Sequence, residues 1–379
     1  MTVFDELDER YPPWESWLDR IGPSGGPPNR NVASYQSSEF SRVKSEVKSA
    51  RPGLISTKKG EILSEAIIMA TGSRFDSITF PGKSKPGVIA LDVPGSLAEA
   101  GRMEASDGKV VICGEGEGAL QVADRLALRR IGSRVAVTHW KNGPPSPAVG
   151  GVIASAAKRA GVAIFEGKPE RALGVGKLEA VEFDVGVTRC DTLVIVPGRH
   201  PSPPPTGALP GRGGGVLVDS RLRSSVPTLF AAGGCAEIEG GLPPNASLGA
   251  EAVMSGRLAG GNASGGGRRI QLARVTERLV FGLRWCTAGA RFPRPAFAPS
   301  LSGFASQAWR SSGCTLVFLK KTGRVVGVET VDHVSEKTGD IGSLVSEGET
   351  LESLAFWGST DISLISETAR VGLRPWSRS

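Results

Sequence analysis

Short apolar runs alternate along most of the chain with longer stretches of mixed polarity. Runs that are apolar on both faces are typical of buried parallel strands, and they occupy residues 66–70, 109–113, 133–140, 191–198 and 227–234. Helical stretches separate several of them, at 120–130 and 150–161, joined by short links that contain glycine. This alternation predicts an α/β fold with doubly wound parallel sheets.

Other patterns indicate antiparallel structure and helices outside that core. Residues 53–63 predict a hairpin that turns at Lys59-Gly60, and 314–331 predict two strands around Lys321-Thr-Gly323. Apolar residues at 272, 275, 279 and 283 have helical spacing, so we expect a helix over 270–285. A further helix is expected within 342–357, and the glycine-rich stretches 22–28 and 260–267 are interpreted as linkers.

The loop Gly114-x-Gly116-x-x-Ala119 follows a predicted strand and opens a predicted helix. In such a unit the first glycine permits a tight turn, and the second lets a pyrophosphate approach the backbone. The small third residue lets the helix pack against the strand, and the helix N-terminus favours the anion. The sequence therefore predicts a Rossmann-type nucleotide-binding unit.

The charges around this loop leave its ligand open. Glu115 and Glu117 place two carboxylates where a phosphate would be repelled. The acid expected about 20 residues further on is replaced by His139, with Lys141 two residues later, which disfavours NAD and leaves NADP possible. A dinucleotide site and a retained fold with an empty loop are both compatible with this pattern.

Composition narrows the class of protein. The 379 residues include 51 glycines and 40% hydrophobic residues, and no 18-residue apolar run is present, so we expect a soluble, cytoplasmic protein without a signal peptide or membrane segment. The five cysteines include no CxxC pair and the three histidines are scattered, which argues against a disulfide framework and a metal site.

The net charge of +7 is concentrated in one segment. Residues 268–310 contain eight arginines and a single acid, Glu277, interleaved with aromatic residues. Three interpretations of this basic block are open. In order of preference, its aromatic residues pack inward with the arginines solvated, it binds an acidic partner protein, or it binds single-stranded nucleic acid.

Four motifs in order carry a family resemblance. They are AIIMATGS (66–73), the glycine loop, CDTLVIVPGRHPS (190–202) and VDSRLRSSVPTLFAAGGCAEI (218–238). In this order they resemble the two-dinucleotide flavoprotein oxidoreductases, that is, the pyridine nucleotide-disulfide oxidoreductases and other FAD-dependent oxidoreductases. The resemblance spans about residues 45–265, and the region from 315 onward looks like the family's C-terminal interface domain.

The resemblance implies an FAD-binding domain interrupted by an NAD(P)-binding domain. It places an N-terminal extension at 1–29, the FAD-type domain at 30–86 and 204–265, the NAD(P)-type domain at 87–203, and an α+β interface domain at 268–379. It further implies that Ala70, Thr71, Gly72, Gly233 and Gly234 lie near a flavin. By the same resemblance, Gly198 and Arg199 approach a nucleotide bound at Gly114, Gly116 and Ala119.

Several family features are missing from the sequence. No strand with a GxGxxG loop stands in residues 1–40, and the Gly-Asp pair whose carboxylate meets the FAD ribityl chain reads Gly233-Gly234. The redox CxxC is absent as well, and the C-terminal His-Glu pair reads Ile362 and Glu367. No catalytic residue is therefore assigned.

Three accounts fit these departures: a non-catalytic paralogue, one half of a split enzyme, or a reading frame with a wrongly placed start. The leading interpretation is an FAD/NAD(P)-dependent oxidoreductase-like protein with weak or absent flavin binding. The alternative is a cofactor-free scaffold or partner subunit that uses the basic block 268–310. A homodimer or a hetero-complex is expected.

Overall fold

The structure is a computed structural model of the 379-residue chain. It describes residues 2–4, 41–43, 45–91, 109–128, 133–140, 144–239, 250–270, 275–289, 304–309, 313–319, 322–333, 341, 345, 349–350 and 353.

The described residues form three continuous helices, twenty-four strands and one 3-10 turn, besides isolated helical residues after 340. The helices are α1 (Gly116–Leu128), α2 (Pro147–Arg159) and α3 (Ala250–Ala263), and the 3-10 turn is Gly233–Cys235. The strands are β1 (Thr2–Phe4), β2 (Ser41–Val43), β3 (Val47–Arg51), β4 (Leu54–Thr57), β5 (Gly60–Leu63), β6 (Ile67–Met69), β7 (Ser73–Phe75), β8 (Val88–Ala90), β9 (Val110–Glu115), β10 (Ser133–His139), β11 (Val162–Glu166), β12 (Pro169–Leu173), β13 (Ala180–Phe183), β14 (Gly186–Arg189), β15 (Thr192–Val196), β16 (Arg199–Pro201), β17 (Val216–Val218), β18 (Leu229–Ala231), β19 (Ala236–Ile238), β20 (Val275–Val280), β21 (Leu283–Gly289), β22 (Phe304–Trp309), β23 (Cys314–Leu319) and β24 (Val325–His333).

A five-stranded parallel sheet organises the middle of the chain. Its order is β11-β10-β9-β15-β8, and every neighbouring pair runs parallel. The strands β9 and β15 are buried along their whole length, as their continuous apolar runs require. The strand order reverses beside β9, where α1 begins, so the predicted Rossmann-type topology is confirmed.

A second α/β unit is assembled from segments on either side of this sheet in sequence. The strands β6 and β18 pair in parallel, β17 pairs in parallel with β19, and β3, β4 and β5 form an antiparallel sheet. The hairpin predicted within 53–63 is confirmed as β4 and β5, but it turns at Lys58-Lys59, one residue before the predicted Lys59-Gly60. The two connections between the units, β7 and β16, pair antiparallel with each other. The predicted interruption of one unit by the other is therefore visible, while the exact domain boundaries stay a prediction.

The C-terminal region contains a five-stranded antiparallel sheet of order β20-β21-β24-β23-β22. The helix predicted over 270–285 is wrong, because the described part of this range forms β20 and β21, which meet at Phe281-Gly282. Both turn residues have positive φ, at 53° and 73°, a conformation that a helix does not contain. Pairing with β24 stabilises the strands although the local apolar spacing is helical.

Four smaller sequence predictions concern one hairpin, one helix and two linkers. The hairpin within 314–331 is confirmed as β23 and β24. The linker at 260–267 is partly wrong, because α3 continues through Ala263. Of the helix expected within 342–357, Val345 and Ser353 are helical, and the remainder, like the linker at 22–28, falls largely or wholly outside the described residues.

One face of the C-terminal sheet packs against the central unit. Val280, Leu283, Trp285 and Val331 share a hydrophobic core with residues of α1, α2 and the parallel sheet. None of the helices in the part of the chain described here is long and apolar enough to span a membrane.

Candidate functional site

The glycine loop lies where β9 leads directly into α1, at the carboxyl edge of the parallel sheet. Gly114 has φ +149°, and a side chain there would collide with the backbone carbonyl of Val196 on the neighbouring strand β15. Ala119 is fully buried, which allows the close helix–strand packing that the motif predicts. The loop therefore has the tight strand-to-helix turn and the close helix packing that the motif predicts.

The first turn of α1 receives a carboxylate from the loop itself. One oxygen of Glu115 accepts the backbone N–H of Glu117 at 3.1 Å, and the other accepts that of Gly118 at 2.9 Å. Glu115 is buried, with 9% of its surface exposed. Amide groups at the start of a helix are the ones that bind anions, and the helix dipole favours a negative charge there. Glu115 thus occupies the anion position of the loop.

The indole of Trp140 fills the space above the second glycine of the loop. A side-chain carbon on Gly116 would collide with the six-membered ring of Trp140. The ring packs into the shared hydrophobic core and meets Trp285 edge to face, with ring centroids 6.5 Å apart. Gly116 is therefore needed for close packing within the protein, and the approach that the motif normally keeps open for a pyrophosphate is covered.

The second carboxylate of the loop points toward the C-terminal sheet. Glu117 Oε2 lies 3.1 Å from the guanidinium of Arg278 on β20, and both side chains are largely buried. A diphosphate about 4 Å from the carboxylate of Glu115 would be repelled by several kcal/mol at an effective dielectric constant of ~20, whereas the charge of Glu117 is offset by Arg278. The residues present therefore do not fit the diphosphate of a dinucleotide in this arrangement.

The predicted residues His139, Gly198 and Arg199 lie beside the loop at the same sheet edge. Gly198 follows β15, and a side chain on it would contact the imidazole Nε2 of His139 at 2.9 Å. The guanidinium of Arg199 stacks 4.3 Å from the ring centroid of Phe75. Lys141, predicted with His139, lies outside the described residues.

The sequence does not predict a neighbouring hydrogen-bonded pair at this edge. Asp76, which follows β7, accepts a hydrogen bond from His200 Nδ1 at 2.7 Å and also approaches Gly198. The pair spans the two connections between the α/β units. Within the described residues no group of three or more histidine, cysteine or acidic side chains is arranged to hold a metal ion.

The second set of predicted residues comes together at the ends of β6 and β18. Ala70, Thr71 and Gly72 follow β6, and Gly233 and Gly234 follow β18. A side chain on Gly234 would lie 3.5 Å from the Gly72 carbonyl carbon and from Ser73 Oγ, an ordinary contact. Gly233 has φ +68°, and its N–H donates to Ser255 Oγ on α3. No acidic side chain is present in this pair of turns.

The cysteines are all buried. Burial raises the pKa of the Cys113 thiol to about 12, and burial together with the charge of Asp191 does the same for Cys190. Cys235, beside the Gly233-Gly234 turn, donates to the carbonyls of Met69 and Ala232. These thiols are packing residues in the native fold, in agreement with the sequence-based expectation for Cys113 and Cys235.

A buried polar network fixes α2 to the C-terminal sheet. Glu329 on β24 accepts the backbone N–H of Ser146 and the indole N–H of Trp285, each at 2.9 Å. Ser146 caps α2, and its hydroxyl lies 2.8 Å from that of Thr315 on β23. Glu329 and Thr315 are 3% and 0% exposed, so the joint between the two regions is inaccessible to water.

Comparisons with known proteins agree with this architecture. The family model for pyridine nucleotide-disulphide oxidoreductases matches residues 28–259. The chain belongs to that family, whose members are FAD/NAD(P)-dependent oxidoreductases.

The similarity to a characterised relative is partial. A mercuric reductase from Shewanella putrefaciens is 24% identical over 247 residues, which cover 59% of this chain and 42% of that enzyme. The matched region thus corresponds to less than half of that relative's length.

Solved structures share the fold across nearly the whole chain. A NAD-dependent persulfide reductase from A. fulgidus has a TM-score of 0.77 at 17% identity, covering 100% of this chain and 79% of that one. An FAD-dependent pyridine nucleotide-disulphide oxidoreductase from Desulfovibrio vulgaris has a TM-score of 0.67 at 18% identity, covering 98% of each chain. A water-forming NADH oxidase from Lactobacillus brevis, bound to NADH, has a TM-score of 0.69 at 15% identity, covering 89% and 83%. At these identities the likeness establishes the fold alone.

Proposed function

We propose that this chain is a divergent member of its oxidoreductase family that binds flavin weakly or not at all. The observation that carries the proposal is that Gly72 and Gly234 lie side by side and that neither of their turns contains an acidic side chain. By the family resemblance, a carboxylate at position 234 would hold the ribityl chain of FAD. A hydrogen bond to a charged group contributes about 1.5–3 kcal/mol, so its loss weakens flavin binding by roughly one to two powers of ten.

The two turns expected near a flavin keep their backbone conformation, but they offer no acidic side chain to it. Gly72 has φ +70°, and Gly233 has φ +68°, so both turns are retained. If flavin were bound, its isoalloxazine would supply the redox chemistry, and Ala70 to Gly72 would contribute close backbone approach alone. We assign no acid, base or nucleophile; burial raises the pKa of the Cys113 and Cys190 thiols to about 12, so neither forms a thiolate near neutral pH.

A scaffold or partner-subunit role is the second candidate. It is favoured by the water-inaccessible joint that Glu329 makes between α2 and the C-terminal sheet. Such a joint maintains a fixed arrangement of two regions without any cofactor. In the basic block 268–310, Arg278 and Arg284 pair with Glu117 and Glu277, so these two arginines contribute to internal packing rather than to an open basic face.

The test is the flavin content of the full-length protein purified without added cofactor and again after incubation with FAD. We expect a colourless protein, and a substoichiometric flavin band after incubation. One tightly bound flavin per chain would contradict the proposal. Sedimentation of the same sample would distinguish a homodimer from a monomer awaiting a different partner.

A further inference from the structure

We infer that side chains of this chain occupy the nucleotide position of the glycine loop: the carboxylate of Glu115 lies where a diphosphate would bind, and Trp140 fills the space above Gly116. These two side chains hold the loop in place without a nucleotide, and the loop therefore binds neither NADH nor NADPH. The inference concerns the second nucleotide position of the fold. It is independent of the proposal about flavin.

The carboxylate of Glu115 reproduces the hydrogen bonds expected of a phosphate. Its two oxygens accept one N–H each from Glu117 and Gly118, at 3.1 and 2.9 Å. These amides stand at the start of a 13-residue helix, where they have no partner within the helix. The amides at the start of α1 therefore have an anionic acceptor in Glu115, the residue that precedes the helix.

Trp140 is held over Gly116 by packing on its other side. Its ring meets Trp285, which is buried and hydrogen-bonded through its own indole to Glu329. Moving Trp140 away would expose part of the core that joins α1 and α2 to the C-terminal sheet. A nucleotide must displace this ring before its diphosphate reaches the backbone of Gly116.

Glu117 extends the same arrangement beyond the loop. Its ion pair with Arg278 connects the first turn of α1 to β20, and Asp124 on the same helix accepts the backbone N–H of Phe281 at 2.7 Å. The loop that binds a cofactor in a nucleotide-dependent enzyme is here part of the joint with the C-terminal sheet. The inferred role of Glu115 and Glu117 is thus to replace the nucleotide as a structural ligand.

Calorimetric titration of the full-length wild type with NADPH, and separately with NADH, tests the inference. We expect no saturable binding below about 1 mM, the weak end of specific affinity. A dissociation constant in the micromolar range for either nucleotide would overturn it. Flavin content is measured in the same samples, so a failure at one site is distinguishable from a failure at the other.

An opened loop provides the positive counterpart. The double variant Glu115→Ala, Trp140→Ala frees the two amides and the space above Gly116, and we expect NADPH affinity to rise at least about tenfold, equivalent to one recovered hydrogen-bonding interaction. The matched control Glu115→Gln, Trp140→Phe retains an acceptor and a ring, and we expect it to resemble the wild type. Equal affinities in the opened and control variants would overturn the claim that these two side chains close the loop.

A measurement on the wild type covers the case in which the opened variant does not fold. Hydrogen–deuterium exchange at the amides of Glu117 and Gly118 is expected to be slow and unchanged by NADPH at millimolar concentration. Additional protection of these amides by NADPH would contradict the inference.

Discussion

Glu329 on β24, the central strand of the C-terminal sheet, accepts the backbone N–H of Ser146, the N-cap residue of α2, at 2.9 Å. The two residues are 183 positions apart in sequence, and both are buried. A single carboxylate thus joins a helix of the parallel α/β unit to an antiparallel sheet that follows much later in the chain. The same side chain orients Trp285, which in turn supports the tryptophan above the glycine loop.

Replacing Glu329 should therefore be costly. In Glu329→Ala, the N–H groups of Ser146 and Trp285 lose their acceptor inside the core, and each buried unsatisfied donor costs about 1–3 kcal/mol. We expect urea denaturation to show a loss of about 2–5 kcal/mol. Thr315→Val, which removes only a hydroxyl contact to Ser146, serves as the milder control. Equal stabilities for wild type and Glu329→Ala would show that water replaces the carboxylate.

The ion pair between Glu117 and Arg278 should show energetic coupling. Because both side chains are mostly shielded from water, a double-mutant cycle with Glu117→Gln and Arg278→Met should give a coupling energy of about 1 kcal/mol, above that of exposed pairs. Arg223 with Asp219, an exposed pair, is the internal comparison and should couple more weakly. Equal coupling for the two pairs would contradict the connection of the loop to β20.

Replacing Asp124 by asparagine should stabilise the folded protein at neutral pH. Burial raises the pKa of its carboxyl above 3.8, against the hydrogen bond from Phe281, which lowers it. The folded protein therefore binds the proton of the Asp124 carboxyl more tightly than the unfolded chain does. The stability that this proton contributes is largest below pH 3.8 and is lost as the pH rises. Asp124→Asn keeps an acceptor for Phe281 and removes the buried charge.

We expect a gain of a few tenths of a kcal/mol for Asp124→Asn at neutral pH, since the carboxyl remains partly solvated. The gain should vanish at about pH 3, where the wild-type carboxyl is protonated in both states. Asp124→Ala, which removes the acceptor, should be destabilised at every pH. A gain that persists at pH 3 would indicate a cause other than charge burial.

The Gly233-Gly234 turn offers a direct comparison of two adjacent substitutions. Gly234→Asp has room for its side chain and restores the acidic residue of the family, so we expect unchanged stability and FAD affinity higher by about tenfold. Gly233→Asp adopts φ +68° and should lose about 1 kcal/mol of stability with no gain in affinity. Flavin fluorescence titration and thermal unfolding measure the two effects, and identical FAD affinity in wild type and Gly234→Asp would contradict the proposed reason for weak binding.

The sequence predicts the parallel sheet well because the patterns that indicate its strands lie within short, continuous segments of the chain. The apolar runs that became β9, β10 and β15 and the glycine loop between β9 and α1 are each contained in a few consecutive residues. The error over 270–285 arose where local spacing favoured a helix and pairing with β24, some 45 residues away, favoured strands. Long-range pairing of that kind is not encoded in a single window of sequence.

The sequence predicts the glycine loop and its two acidic residues, but not the contacts that their side chains make. The carboxylate of Glu115 could be recognised as unfavourable for a phosphate, yet its bonds to Glu117 and Gly118 depend on the side chain turning back on its own helix. The packing of Trp140 against Gly116 is not predicted, because nothing in the sequence beside His139 indicates that this ring covers the loop. Arg278 and Glu329 could not have been assigned, because their partners are brought near only by the packing of the C-terminal sheet.

The most direct test of the self-ligated loop is a crystal structure of the full-length protein grown with an excess of NADPH. We predict that Glu115 will be seen on the amides of Glu117 and Gly118, with the indole of Trp140 over Gly116. Density for a diphosphate at those amides, with Glu115 and Trp140 displaced, would contradict the account.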